Sequence, residues 1–243
     1  MALLSVPFHL DEALPGFAPP LPPDEVIAPS LPPGTPWERM AVLYAEVADA
    51  VGSDELQVVV SGDCTTSLAV VAGLQRSGVD PAIVWFDAHG DLQTPETSAS
   101  GYLGGFPVRQ LVGGADRTVP ERLGLRPVRE SDVLLVDARD LDPPEAEFLA
   151  GSAIRRVAVD EVVGALPDGP VHLHLDADVV DPRDLPGLLF PVADGPRWSD
   201  VLGAVRAVLA TCPVVAVTVG CTWSGSGTPE FAALVREIVE SAR

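Results

Sequence analysis

The chain has 243 residues, 47% of them hydrophobic, with a formal net charge of −20. That length suits one domain with a sizeable core, and the charge makes nucleic acid and anionic membranes poor partners. No apolar run reaches membrane-spanning length, no basic and apolar leader opens the chain, and three scattered cysteines (Cys64, Cys212, Cys221) do not make a disulfide framework, so a soluble, cytoplasmic protein is expected.

Residues 1–36 are rich in proline and read as an irregular wrap over the core, with a first strand at 3–6. Residues 37–51 read as a helix, 56–60 as a strand, 66–76 as a helix and 82–86 as a strand. A long loop over 90–105 leads to a helical turn at 108–112. Then come a strand at 132–136, a short helix at 143–150, and strands at 154–159 and 171–175. A helix at 199–211, a strand at 214–219 and a helix at 229–242 complete the chain. Strands alternate with helices, which predicts a three-layer α/β/α sandwich around a mostly parallel sheet, in a single domain over 1–243.

Two segments carry the chemistry. Residues 85–91 read Trp-Phe-Asp-Ala-His-Gly-Asp, so Asp87, His89 and Asp91 occupy alternate positions after an apolar run. If strand alternation continued, all three side chains would leave from one face. Residues 171–182 repeat the idea: His172, His174, Asp176 and Asp178 alternate with Val171, Leu173, Leu175 and Ala177. Clustered carboxylates and imidazoles at the carboxyl end of an inner strand mark a site, and a divalent metal is the natural neutraliser.

Three blocks in order resemble the arginase/agmatinase (ureohydrolase) family over essentially the whole length. They are Ser-Gly-Asp-Cys at 61–64, Asp-Ala-His-Gly-Asp at 87–91 running into Thr94, Pro95, Glu96 and Thr97, and Asp-Ala-Asp-Val-Val-Asp-Pro at 176–182. The resemblance implies an arginase-like sandwich, often trimeric or hexameric, that hydrolyses guanidine or amidine carbon–nitrogen bonds with two manganese ions. It implies metal ligation by Cys64, Asp87, His89, Asp91, Asp176 and Asp178, with Asp91 also moving protons as a general acid–base. Gln93 and Ser100 would shape the substrate pocket. Asp142 reads either as a contact for a substrate ammonium or as a helix cap, and Asp140 as a cap.

The chain also departs from the family pattern. Cys64 stands where the family usually has His, as in a branch that acts on N-hydroxyarginine. It is either a buried core thiol or a thiolate ligand, and the latter favours a softer ion such as zinc. Gly104 stands where a proton-shuttling His is common. The stretch 218–223 lacks the Glu that clamps guanidinium, which disfavours ordinary L-arginine; Trp223 offers a cation–π face or is a core residue. His174 is extra, and reads as a substitute for the missing His, a supporting hydrogen-bond partner, or a satisfied polar group within the sheet. The reading that follows is a metal-dependent amidinohydrolase for a non-standard guanidino substrate. The alternatives are a degenerate family member that only binds, and a hydrolase of another amide or formimino bond.

Overall fold

The computed structural model describes residues 1–17, 19, 21–52, 55–220 and 229–242. Strand β1 (Ala2–Val6), a small hairpin of β2 (Phe8–His9) and β3 (Glu12–Ala13), and β4 (Glu25–Val26) precede helix α1 (Pro36–Ala50). Then follow β5 (Gln57–Ser61), α2 (Ser67–Arg76), β6 (Ala82–His89), α3 (Pro107–Leu111), α4 (Thr118–Leu123) and β7 (Val133–Asp140). The rest runs α5 (Pro143–Gly151), β8 (Arg155–Val157), α6 (Val162–Ala165), β9 (Val171–Asp176), α7 (Trp198–Thr211), β10 (Val214–Gly220) and α8 (Pro229–Ser241).

Eight strands form one sheet in the order β4-β1-β5-β10-β9-β6-β7-β8, every pairing parallel. A parallel sheet is buried on both faces, so its strands are near-continuous apolar runs. In β5, Val59 packs towards α1 and α2, while Val58 and Val60 pack with Val201, Val205 and Val208 of α7. In β6, Ile83 and Trp85 go to the first core, and Val84 and Phe86 to the second. The expected three layers follow directly from this alternation.

Strand β9 is the exception that positions chemistry. Val171, Leu173 and Leu175 join the α7 core, while His172 and His174, both 0% exposed, face the α2 layer. Register puts His174 between Trp85 of β6 and Thr218 of β10.

The helix and strand ends are set locally. Thr35 caps α1 in a capping box: its hydroxyl accepts the Glu38 N–H at 3.4 Å, and the Glu38 carboxylate accepts the Thr35 N–H at 2.8 Å. Asp142, not Asp140, is the cap residue of α5; Asp140 is the last residue of β7, paired with His89. Asp87 pairs with Asp137 and His89 with Asp140, so β7 carries an extra residue there. Bulges of this kind re-aim side chains next to sites. Here Asp137 and Ala138 adopt φ of 79° and 47°.

The chain builds β5, jumps to β6, β7 and β8, and then returns to insert β9 and β10 between β5 and β6. In such sheets the crevice beyond the carboxyl ends of the central strands is the ligand-binding place. No helix among the described residues is long and apolar enough to cross a membrane.

Candidate metal centre

Three chain segments converge at that edge. The turn after β5 delivers Cys64. Gly62 precedes it because a Cβ there would fall 2.4 Å from the Phe8 carbonyl oxygen. Asp63 holds the turn by accepting the Thr65 N–H at 2.9 Å. The end of β6 delivers Asp87 and His89, and Asp91 follows with a left-handed φ of 52°. Strand alternation therefore stops at His89, and a strained backbone, of the kind found at functional sites, turns Asp91 into the same cavity. The end of β9 delivers Asp176 and Asp178.

The cavity is about 200 Å³. Its walls include all six of these residues together with Gln93, Ser100, Asp142, Glu145, Tyr102 and Phe190. Cys64 Sγ donates to Asp176 Oδ2 at 2.7 Å. Asp87 accepts the Trp85 indole N–H at 3.0 Å and the His89 backbone N–H at 2.7 Å. His89 Nδ1 lies 3.0 Å from Asp178 Oδ2 and 3.4 Å from Asp87 Oδ1. The Ala88 N–H donates to Asp178 at 3.1 Å, and the Asp178 N–H to Asp176 at 2.9 Å. Asp91 Oδ2 is buried with no hydrogen-bond partner among the described residues.

Charge is poorly matched in this space. Burial, then the charge of Asp87, holds the Asp91 carboxyl well above its usual range. Burial, then the neighbouring Asp178, does the same to Asp176. Asp178 is pushed up to about 7 by burial and then by Asp87. Burial, followed by Asp176, raises the Cys64 thiol. Burial opposes charge on His89, yet Asp178 and Asp87 together push it up to about 12. Burial alone holds His172 near 3, and burial outweighs the opposing pull of Asp87 to leave His174 at about 3 as well, so both are neutral. A carboxylate-rich cavity with one imidazolium and an orphaned oxygen suits added cations. Among the described residues, two groups of donors have ligand atoms within 4.8 Å of one another: Cys64, Asp87 and His174, and Asp87, His89 and Asp178.

The chain matches the arginase family model over residues 24–220. It belongs to the arginase family. The N(omega)-hydroxy-L-arginine amidinohydrolase of Streptomyces lavendulae is 32% identical over 178 residues, 71% of this chain and 63% of that protein. The arginase of Bacillus subtilis (strain 168) is 29% identical over 167 residues, 63% of this chain and 56% of that protein. The match thus spans less than two thirds of either relative. Among solved structures, the arginase from Bacillus caldovelox superposes with a TM-score of 0.84 at 20% identity, covering 100% of this chain and 98% of that one. The proclavaminate amidino hydrolase from Streptomyces clavuligerus gives 0.69 at 17% identity, covering 99% and 89%. These structures share the arginase fold with this family member.

The remaining expected residues fall at different depths. Gln93 is buried, gives its amide to Asp142 Oδ2 at 2.7 Å and accepts from Thr97 at 2.8 Å. Ser100 is exposed at the mouth, where its hydroxyl accepts the Tyr102 N–H at 3.2 Å. Trp223 and the stretch around Cys221 lie outside the described residues. His174 Nδ1 is held by Thr218 at 2.7 Å and Ser67 at 3.0 Å, and its ring stacks on Trp85 with centroids 3.7 Å apart.

Four wall and support residues escaped the sequence reading. Glu145 is 5% exposed and accepts the Leu92 and Asp142 N–H groups at 2.9 and 3.0 Å, tying the loop after β6 to α5. Its capping position was readable; its reach to Leu92 was not. Tyr102 stands where a side chain at Gly104 would begin: a Cβ there would fall 2.3 to 2.6 Å from its ring and hydroxyl. The same hydroxyl lies 2.9 Å from His9 Nε2, and Phe190 packs at 4.8 Å from the ring. Arg139, aimed by the bulge, pairs with Asp137 and donates to the carbonyls of Asp178, Val179, Val192 and Ala193.

Proposed function

We infer that this protein is a metal-dependent hydrolase of guanidine carbon–nitrogen bonds, acting on a substituted guanidine such as an N-hydroxyarginine rather than on ordinary L-arginine. One observation carries the reading: six residues from three distant segments line one cavity, and one of them, Asp91, keeps a buried oxygen with no partner among the described residues. Cys64, Asp87, His89, Asp91, Asp176 and Asp178 would hold two divalent ions, manganese by family resemblance. Such ions supply Lewis acidity that makes water a competent nucleophile at neutral pH.

The chain's own groups do the rest. Asp91 Oδ2 is placed to take a proton from the attacking water and return it to the leaving amine. The buried walls keep bulk solvent from the reacting carbon. Asp142, at the exposed rim, faces the ammonium end of an amino-acid substrate, and its bond to Gln93 fixes its direction. Tyr102 and Phe190 form an aromatic wall where the family commonly has His, which selects for a guanidine that carries an extra substituent. Cys64 agrees with the hydroxyarginine branch, and the Streptomyces lavendulae relative carries that activity in its name.

The test loads the full chain with manganese and offers L-arginine, agmatine, N-hydroxyarginine and other substituted guanidines. Release of hydroxyurea or urea from a substituted guanidine, faster than from L-arginine, is expected. Inertness against the whole panel with metal bound overturns the reading. The filling of the Gly104 space by Tyr102 favours a second reading, a family member that binds without catalysis; substoichiometric metal after loading would support it.

A further inference from the structure

We propose that His174 is a metal ligand, completing with Cys64 and Asp87 a site for a borderline or soft divalent ion such as zinc or cobalt. Asp87 is shared with a second donor group, made with His89 and Asp178, that would suit a harder ion. The inference rests on reading the cavity as a metal centre, and adds a residue that family resemblance does not place among the ligands.

The geometry of His174 is that of a ligating imidazole. One ring nitrogen of such a residue is fixed by a hydrogen bond while the other is left for the ion. Here Nδ1 is fixed by Thr218 and Ser67, and the ring plane is set by the stack on Trp85. Nε2 is buried and has no hydrogen-bond partner among the described residues. An orphaned nitrogen is not decisive alone, since His172 Nδ1 is bare as well. The two differ in surroundings: donors of Cys64 and Asp87 gather with His174 within 4.8 Å, and among the described residues His172 belongs to no such group.

The donor chemistry points the same way. Thiolate and imidazole suit zinc and cobalt, whereas carboxylates suit manganese. Cys64 now donates its S–H to Asp176. On ligation that proton leaves to solvent and the thiolate binds, so binding releases one proton from this residue.

The test strips the full chain of metal with a chelator and titrates it with cobalt(II). A thiolate-to-cobalt charge-transfer band is expected, lost in Cys64→Ser. In His174→Gln the affinity for that ion should fall by about tenfold or more, while His172→Gln titrates like the unaltered chain. Absence of the sulfur band, or unchanged titration of His174→Gln, overturns the proposal. Anomalous diffraction from zinc-loaded unaltered protein gives a reading independent of variant folding. An ion at about 2.0–2.1 Å from His174 Nε2 is expected, and one held by Asp87, His89 and Asp178 with that nitrogen bare overturns it. Hydrolysis with manganese but no sulfur band leaves the function standing and removes His174 as a ligand; the reverse result separates them the other way.

Discussion

At Gly104 the absence of a side chain is a packing requirement. The Tyr102 ring occupies the space, and its hydroxyl is tethered to His9. Gly104→Ala should therefore force the ring out and lower stability by roughly 1–3 kcal/mol, a typical cost of overpacking. Adding Tyr102→Ala should recover part of that loss, a coupling that a double-mutant cycle of denaturation midpoints measures. Additive effects would show that the ring yields freely. Asp91 makes the opposite case, a carboxyl held above its usual range by burial and by the charge of Asp87. Asp91→Asn should cut turnover by about 10²–10⁴-fold, the usual share of a general acid–base. It should leave the metal-free chain at least as stable, because it removes a carboxyl that burial and Asp87 already disfavour. A thermal melt beside the rate assay checks both halves.

Elements were legible where one pattern ran long enough to average out. The Val-rich run of β5 and the alternation of His with Val and Leu in β9 marked inner strands and their two faces. What escaped was short or depended on distant partners. Helix α4, six residues with Pro120 inside, and α6, four residues, give too few turns for a periodic signal. The hairpin β2–β3 has two residues on each side. Strand ends made Asp87, His89, Asp91, Asp176 and Asp178 readable as two clusters; that Cys64 joins them was implied only by the family resemblance. The turn of Asp91 away from the strand was not readable, since left-handed backbone in a non-glycine residue leaves no mark in composition. Arg139 was invisible for a related reason: its carbonyl acceptors lie 39 to 54 residues away. It links the β7 bulge to the segment that carries Asp178. Because its planar fork serves several acceptors at once, Arg139→Lys is not conservative. We expect a loss of about 2–4 kcal/mol and a metal affinity lower by roughly 10–100-fold, as for other residues that orient ligands. Chemical denaturation and metal titration read these separately.

Across the whole molecule the cavity joins the ends of β5, β6 and β9, so an ion held there ties together both halves of the sheet. A free ion at about a hundred times its Kd adds about 2.7 kcal/mol per site, or ~5–10 °C in Tm for a chain of this size. Chelation should lower the melting point by that order, and re-addition should restore it; an unmoved Tm would mean that no ion binds the folded chain in preference to the unfolded one. The strand order has a consequence for how the protein is made. Without β9 and β10, the strand order would leave two parallel ribbons, β4-β1-β5 and β6-β7-β8, with unpaired edges at β5 and β6. The pair that seals them, β9 and β10, follows the sheet's other strands in chain order and lies at its centre. The protein is thus born with its keystone missing, and translation arrest before β9 leaves two sticky margins that invite self-association or chaperone capture.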